Sequence, residues 1–107
     1  MTEYCVVLTT TDSREAAQAL ARSVVAARLA ACGQIVGPIE SVFWWDGQLD
    51  DAAEYQVWFK TTDERYEALA AHIAEQHSYD VPEILRVPVE AGGASYLAWL
   101  RAETEPR

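Results

Sequence analysis

Asp46-Gly47 constrains this chain more than any other pair, because it lies between two runs that both read as strands. Asp-Gly suits a two-residue hairpin turn in which both central residues adopt positive φ. Ahead of it, Ile35 to Trp45 reads as a strand interrupted at Gly37-Pro38. Proline donates no ladder hydrogen bond, so Pro38 predicts a bulge, a bend or an edge position. Behind it, Tyr55, Val57 and Phe59 alternate with Gln56, Trp58 and Lys60, the period of a half-buried strand. The centre of the fold is therefore a long antiparallel hairpin that carries most of the aromatic mass.

On either side of the hairpin lies one strand and one helix. Tyr4 to Leu8 is a short apolar, β-branched run. Asp12 followed by Glu15 reads as a capping box, and Ala17, Leu20, Ala21, Val24 and Arg28 fall at helical spacing. Gly33 is expected to end that helix as a left-handed cap. After the hairpin, Thr61-Thr62-Asp63-Glu64 opens a second helix with Tyr66, Leu69, Ile73 and His77 on one stripe. Pro82 closes the loop that follows, and Ile84 to Val89 forms the fourth strand. Gly92-Gly93 precedes a short helix with Tyr96, Leu97, Trp99 and Leu100, and Glu103 to Arg107 is a polar tail expected to fray.

The order β-α-β-β-α-β plus a terminal helix predicts one α+β domain over residues 1–107, a ferredoxin-like sandwich with a four-stranded antiparallel sheet. Both helices should cover one face and leave the other bare. Four Trp and five Tyr in 107 residues exceed what so small a core readily hides. Covering apolar area is worth roughly 25 cal/mol per Å². Assembly with further copies of the chain, three chains in all, is the expected solution.

Eight basic against seventeen acidic residues give a net charge of −9. Nucleic acids and anionic membranes are bound through Lys and Arg clusters, and the sequence has none. It also lacks the run of about 18 apolar residues that spans a bilayer. The segment Met1-Thr2-Glu3-Tyr4 has no basic n-region, and Cys5 and Cys32 are too few for a disulfide framework. A cytoplasmic location is expected.

Several segments together resemble the divalent-cation tolerance (CutA) family. They are Leu29-Ala30-Ala31-Cys32, Ser41-Val42-Phe43-Trp44-Trp45-Asp46-Gly47, Lys60-Thr61-Thr62, His77-Ser78-Tyr79-Asp80-Val81-Pro82-Glu83-Ile84, and Tyr96-Leu97-Ala98-Trp99-Leu100. The resemblance implies a ferredoxin-like subunit in a tight homotrimer, similar in architecture to the nitrogen-regulatory signalling trimers. It further implies a non-enzymatic cytoplasmic protein tied to tolerance of divalent metals, copper above all. The copper site of an enterobacterial member uses a Cys at the end of strand one and two adjacent His after helix two. Thr9, Gln76 and His77 hold those positions here.

His77 is the leading candidate metal ligand, with Asp80 and Cys32 as further donors for Cu²⁺ or another divalent ion. Against that stand a plain role for His77 at the carbonyl end of its helix and one for Cys32 as a small buried hydrophobe. The family pattern places Lys60, Tyr79, Glu83 and Trp45 at an intersubunit cleft, with an ion pair between Lys60 and Glu83. Phe43, Trp44, Trp58 and Trp99 are expected interface anchors, where Trp is enriched. Two other functions compete. One is a signalling trimer that binds a small effector. The other is an acylphosphatase-type enzyme, which would need a phosphate cradle where this chain has Thr9-Thr10-Thr11-Asp12.

Overall fold

A computed structural model describes residues 3–106. The elements run β1 (Tyr4–Thr11), α1 (Arg14–Ala26), β2 (Cys32–Trp45), β3 (Gln48–Thr62), a 3-10 turn (Asp63–Arg65), α2 (Tyr66–Gln76), β4 (Leu85–Val89) and α3 (Ala94–Glu103). One four-stranded sheet has the order β2-β3-β1-β4, with every pair antiparallel. The chain is therefore α+β, and its length of 44 Å along the major axis against 25 and 22 Å across comes with the long β2–β3 hairpin.

Residues opposed in an antiparallel pair share a face of the sheet. Cys5 with Thr61, Val7 with Phe59, and Thr9 with Val57 therefore point one way. All six are fully buried, and α1 closes over them with Ala17, Leu20, Ala21 and Val24, α2 with Leu69 and Ile73. A second tie joins the helices, because Ser23 Oγ lies 2.7 Å from His72 Nε2.

The opposite face carries Leu8, Trp58 and Leu85 in one row and Val6, Lys60 and Val87 in the next. Trp58, Leu85, Val87 and neighbouring Val36 are exposed. At one end α3 partly covers this face: the Arg101 guanidinium lies 5.2 Å from the Tyr4 ring centroid, and Leu100 is buried.

Three local expectations are corrected. Ser13, not Asp12, is the cap of α1, and its hydroxyl accepts from the Ala16 N–H at 3.1 Å. The helix ends at Ala26 rather than near Gly33, and Arg28 supplies the left-handed residue (φ 63°). Gly33 instead belongs to β2, where the Phe59 ring packs so closely that a Cβ would sit 2.9 Å from it. The beginning of the supposed tail is anchored, since Arg28 pairs with Glu103 at 2.9 Å and buried Thr104 donates to Leu100 O at 3.0 Å.

Asp46 (φ 52°) and Gly47 (φ 76°) make the tight turn expected of them. The interruption at Gly37-Pro38 is a bulge in an edge strand: Val36 faces Gln56 and Ile39 faces Glu54, so two residues oppose Tyr55 alone. A Cβ at Gly37 (φ 154°) would lie 2.8 Å from the Tyr55 ring, which leaves room only for glycine. One extra residue inverts the side-chain parity of the strand beyond it. Ser41, Phe43 and Trp45 therefore emerge on the same face as Val36 and Trp58, while Val42 and Trp44 turn to the other.

Candidate functional site

The parity change brings the arm's Ser41, Phe43 and Trp45 to one side of a cleft, together with Asp50, Ala52 and Glu54 from β3. The segment after α2 supplies the other side with Tyr79, Asp80, Val81 and Glu83. The cleft measures about 670 Å³, within the range typical of small-molecule sites, about 300–1,000 Å³.

Hydrogen bonds hold its walls together. The Tyr79 hydroxyl donates to Glu54 Oε2 at 2.9 Å, spanning the gap between loop and arm. Burial pushes the Tyr79 phenol well above its usual value, and the adjacent Glu54 carboxylate pushes it the same way. Behind Tyr79, His77 locks the loop: its Nε2 lies 2.6 Å from Thr10 O, and its Nδ1 accepts from the Tyr79 N–H at 3.1 Å. With the ring placed this way, Nε2–H donates to the carbonyl. The two rings pack with centroids 4.7 Å apart.

The proposed metal donors do not converge within the chain. His77 spends both nitrogens on backbone groups, Asp80 lines the cleft, and Cys32 lies on β2 with Sγ 3.6 Å from the Tyr96 hydroxyl. Cys32 is half-buried in a strand, not sealed behind a helix. Its hydrogen bond raises the Tyr96 phenol above its ordinary value. Among the described residues, no three His, Cys, Asp or Glu side chains form a group able to hold one ion. Thr9, at the position of the family's cysteine, is fully buried, and its hydroxyl finds no hydrogen-bond partner among the described residues.

Of the four expected cleft residues, Tyr79, Glu83 and Trp45 come together. Lys60 does not join them; it projects from the exposed sheet face and hydrogen-bonds to Gln34 Oε1, so within the chain the Lys60–Glu83 pair does not form. Among the expected anchors, Trp44 is 73% exposed at the arm's tip, and Trp58 and Trp99 are partly exposed, with Trp99 packed on Tyr96 at 5.6 Å. Phe43 lines the cleft. The sequence reading missed Asp50 and Glu54. Their even-numbered spacing with Trp58 and Lys60 on β3 was a usable signal, needing only the bulge to show what they face.

A four-stranded antiparallel sheet with α1 and α2 on one face, α3 at one end of the other, a long projecting hairpin and a cleft at its base define a small α+β protein of the kind seen in several solved structures. The structure of the divalent cation tolerance protein from Thermus thermophilus superposes with a TM-score of 0.92 at 37% identity, over 95% of this chain and 99% of that one. CutA1 from Oryza sativa gives a TM-score of 0.94 at 39% identity, over 97% and 95%. In sequence, the divalent-cation tolerance protein CutA of Pectobacterium atrosepticum is 39% identical over 97 residues, 91% of this chain and 88% of its own. The chloroplastic CutA 1 of Oryza sativa is 41% identical over 99 residues, 92% of this chain; the chain spans only about half of that relative's length, 56%. The family model for CutA1 divalent ion tolerance protein matches residues 5–103. The chain belongs to the CutA1 divalent ion tolerance family.

Proposed function

We propose that this chain is a non-enzymatic, cytoplasmic divalent-cation tolerance protein. In this reading its ferredoxin-like subunit assembles as a homotrimer, and it takes a metal ion or small ligand where subunits meet. One observation carries the reading: an apolar sheet face and an apolar arm both stand in solvent. Trp58, Leu85, Val87 and Val36 on the sheet, and Val42, Trp44, Trp45 and Leu49 on the arm, are all exposed. Patches of this extent on a small protein mark surfaces that another molecule covers. Both sheet edges, β2 and β4, are also free to pair with a neighbouring copy.

Membership of a family named for divalent ion tolerance supports the metal-linked role. With His77 committed to the backbone, copper held by this chain needs donors brought together by assembly. Light scattering on purified protein tests the reading. The expected mass is three times 11.9 kDa, and Trp45→Asp should reduce it. A folded species that stays at the single-chain mass at micromolar concentration overturns the assembly.

A further inference from the structure

The end of β1, where the enterobacterial member holds copper, carries a different set of donors in this chain. Imidazole and thiolate suit copper, whereas oxygen donors suit harder ions. Thr9, opposite Val57 in the sheet, offers only a hydroxyl, and the residue is fully buried. Gln76 offers an amide at the exposed end of α2. Thr9 does not line the small pocket beside the His77 ring, about 160 Å³, whose polar lining is Thr11, Gln76, His77 and Ser78, with no carboxylate or thiol.

Of those positions only His77 keeps a donor suited to copper, and both of its nitrogens are engaged. A neutral imidazole has one ring nitrogen free to accept. Nε2–H donates to Thr10 O at 2.6 Å, which leaves the lone pair on Nδ1, and Nδ1 accepts from the Tyr79 N–H at 3.1 Å. An ion on Nδ1 would strip the Tyr79 N–H of its acceptor, and an ion on Nε2 would break the tie to β1. The same bonds give the ring a task of its own. His77 caps the C-terminus of α2, and the Tyr79 it holds packs on it at 4.7 Å and donates to Glu54 Oε2 at 2.9 Å. One side chain thus joins α2, β1 and, through Tyr79, β3.

We infer that the end of β1 serves in this chain as a latch rather than a copper site: His77 is a positioning residue that seats Tyr79 against Glu54 and does not ligate the ion. The inference rests on the metal-linked reading above and deepens it, by removing one place for the ion.

Nitrogen-15 NMR of the histidine rings in the full chain tests it. The chain has two histidines, His72 and His77, and His77→Asn assigns their signals. His77 should appear as the Nε2–H tautomer, and Cu²⁺ added up to an equimolar amount should broaden it no more than His72. An Nδ1–H tautomer, or selective loss of the His77 signals with Cu²⁺, overturns the inference. Amide exchange reads the latch itself. The Tyr79 N–H should exchange at least about tenfold faster in His77→Ala, and His77→Asn, whose side-chain oxygen can accept in place of Nδ1, should restore most of the protection. Equal protection in wild type and His77→Ala overturns the latch, and so does a loss that asparagine leaves unrestored, which would assign the protection to ring packing alone. Light scattering on the same samples keeps the two readings apart. A trimer whose His77 is taken by Cu²⁺ sinks only this inference, and a monomer with an intact latch sinks only the assembly.

Discussion

Replacing His77 by alanine is the sharpest way to separate a structural histidine from a metal ligand. The imidazole bridges two elements: Nε2 to Thr10 O in β1 at 2.6 Å, and Nδ1 to the Tyr79 N–H at 3.1 Å. Each hydrogen bond contributes about 0.5–1.5 kcal/mol net, and the ring packing on Tyr79 at 4.7 Å adds about 0.5–1.5 kcal/mol. The alanine variant should therefore lose about 3 kcal/mol per chain, on the sum of those terms. The loop should loosen too, freeing the Tyr79 hydroxyl from Glu54. Urea unfolding followed by circular dichroism reads the loss, at one fixed protein concentration because any assembly couples to stability. A parallel titration with Cu²⁺ reads the other role. Unchanged urea resistance with an abolished Cu²⁺ affinity refutes the lock and makes His77 a ligand.

Two further outcomes follow from buried groups. Burial, reinforced by a hydrogen bond and the charge of Asp63, pushes the Cys5 thiol from 9.0 up to about 12. The native state thus keeps a proton that the unfolded chain releases, so stability should fall as pH rises from about 9 to about 12, by a few kcal/mol, and Cys5→Ala should flatten that slope relative to wild type. The Thr9 hydroxyl, buried with no hydrogen-bond partner among the described residues, costs desolvation without return, so Thr9→Val, close in shape, should raise stability by about 1 kcal/mol; a variant less stable than wild type in urea would show that the hydroxyl has a partner.

The sequence by itself determined the alternation of strands and helices. The strength lies in local chemistry: Asp46-Gly47 permits little but a tight turn, and Tyr55, Val57 and Phe59 alternate with Gln56, Trp58 and Lys60 because one face of β3 is buried against the helices and the other is not. It also marked Pro38 as a break, since a residue without an N–H cannot sit in a regular ladder. Family motifs pointed to Tyr79, Glu83 and Trp45 as neighbours. Helix ends were less legible: Asp12 and Ser13 are both good caps, and only the backbone path chose Ser13. Gly33 looks like a cap, yet it is needed where Phe59 leaves no space for a side chain.

What only the tertiary structure decided is the sidedness of the arm. A bulge at Gly37-Pro38 could add one residue or none, and each choice sends Phe43 and Trp45 to a different face. Because side chains alternate with a period of two, that one residue sets whether the aromatics meet Asp50, Glu54 and the Tyr79–Glu83 loop or look away from them. The same holds for His77 and Lys60, whose partners, Thr10 O and Gln34, are chosen by pairings across the sheet and loop that no local pattern encodes.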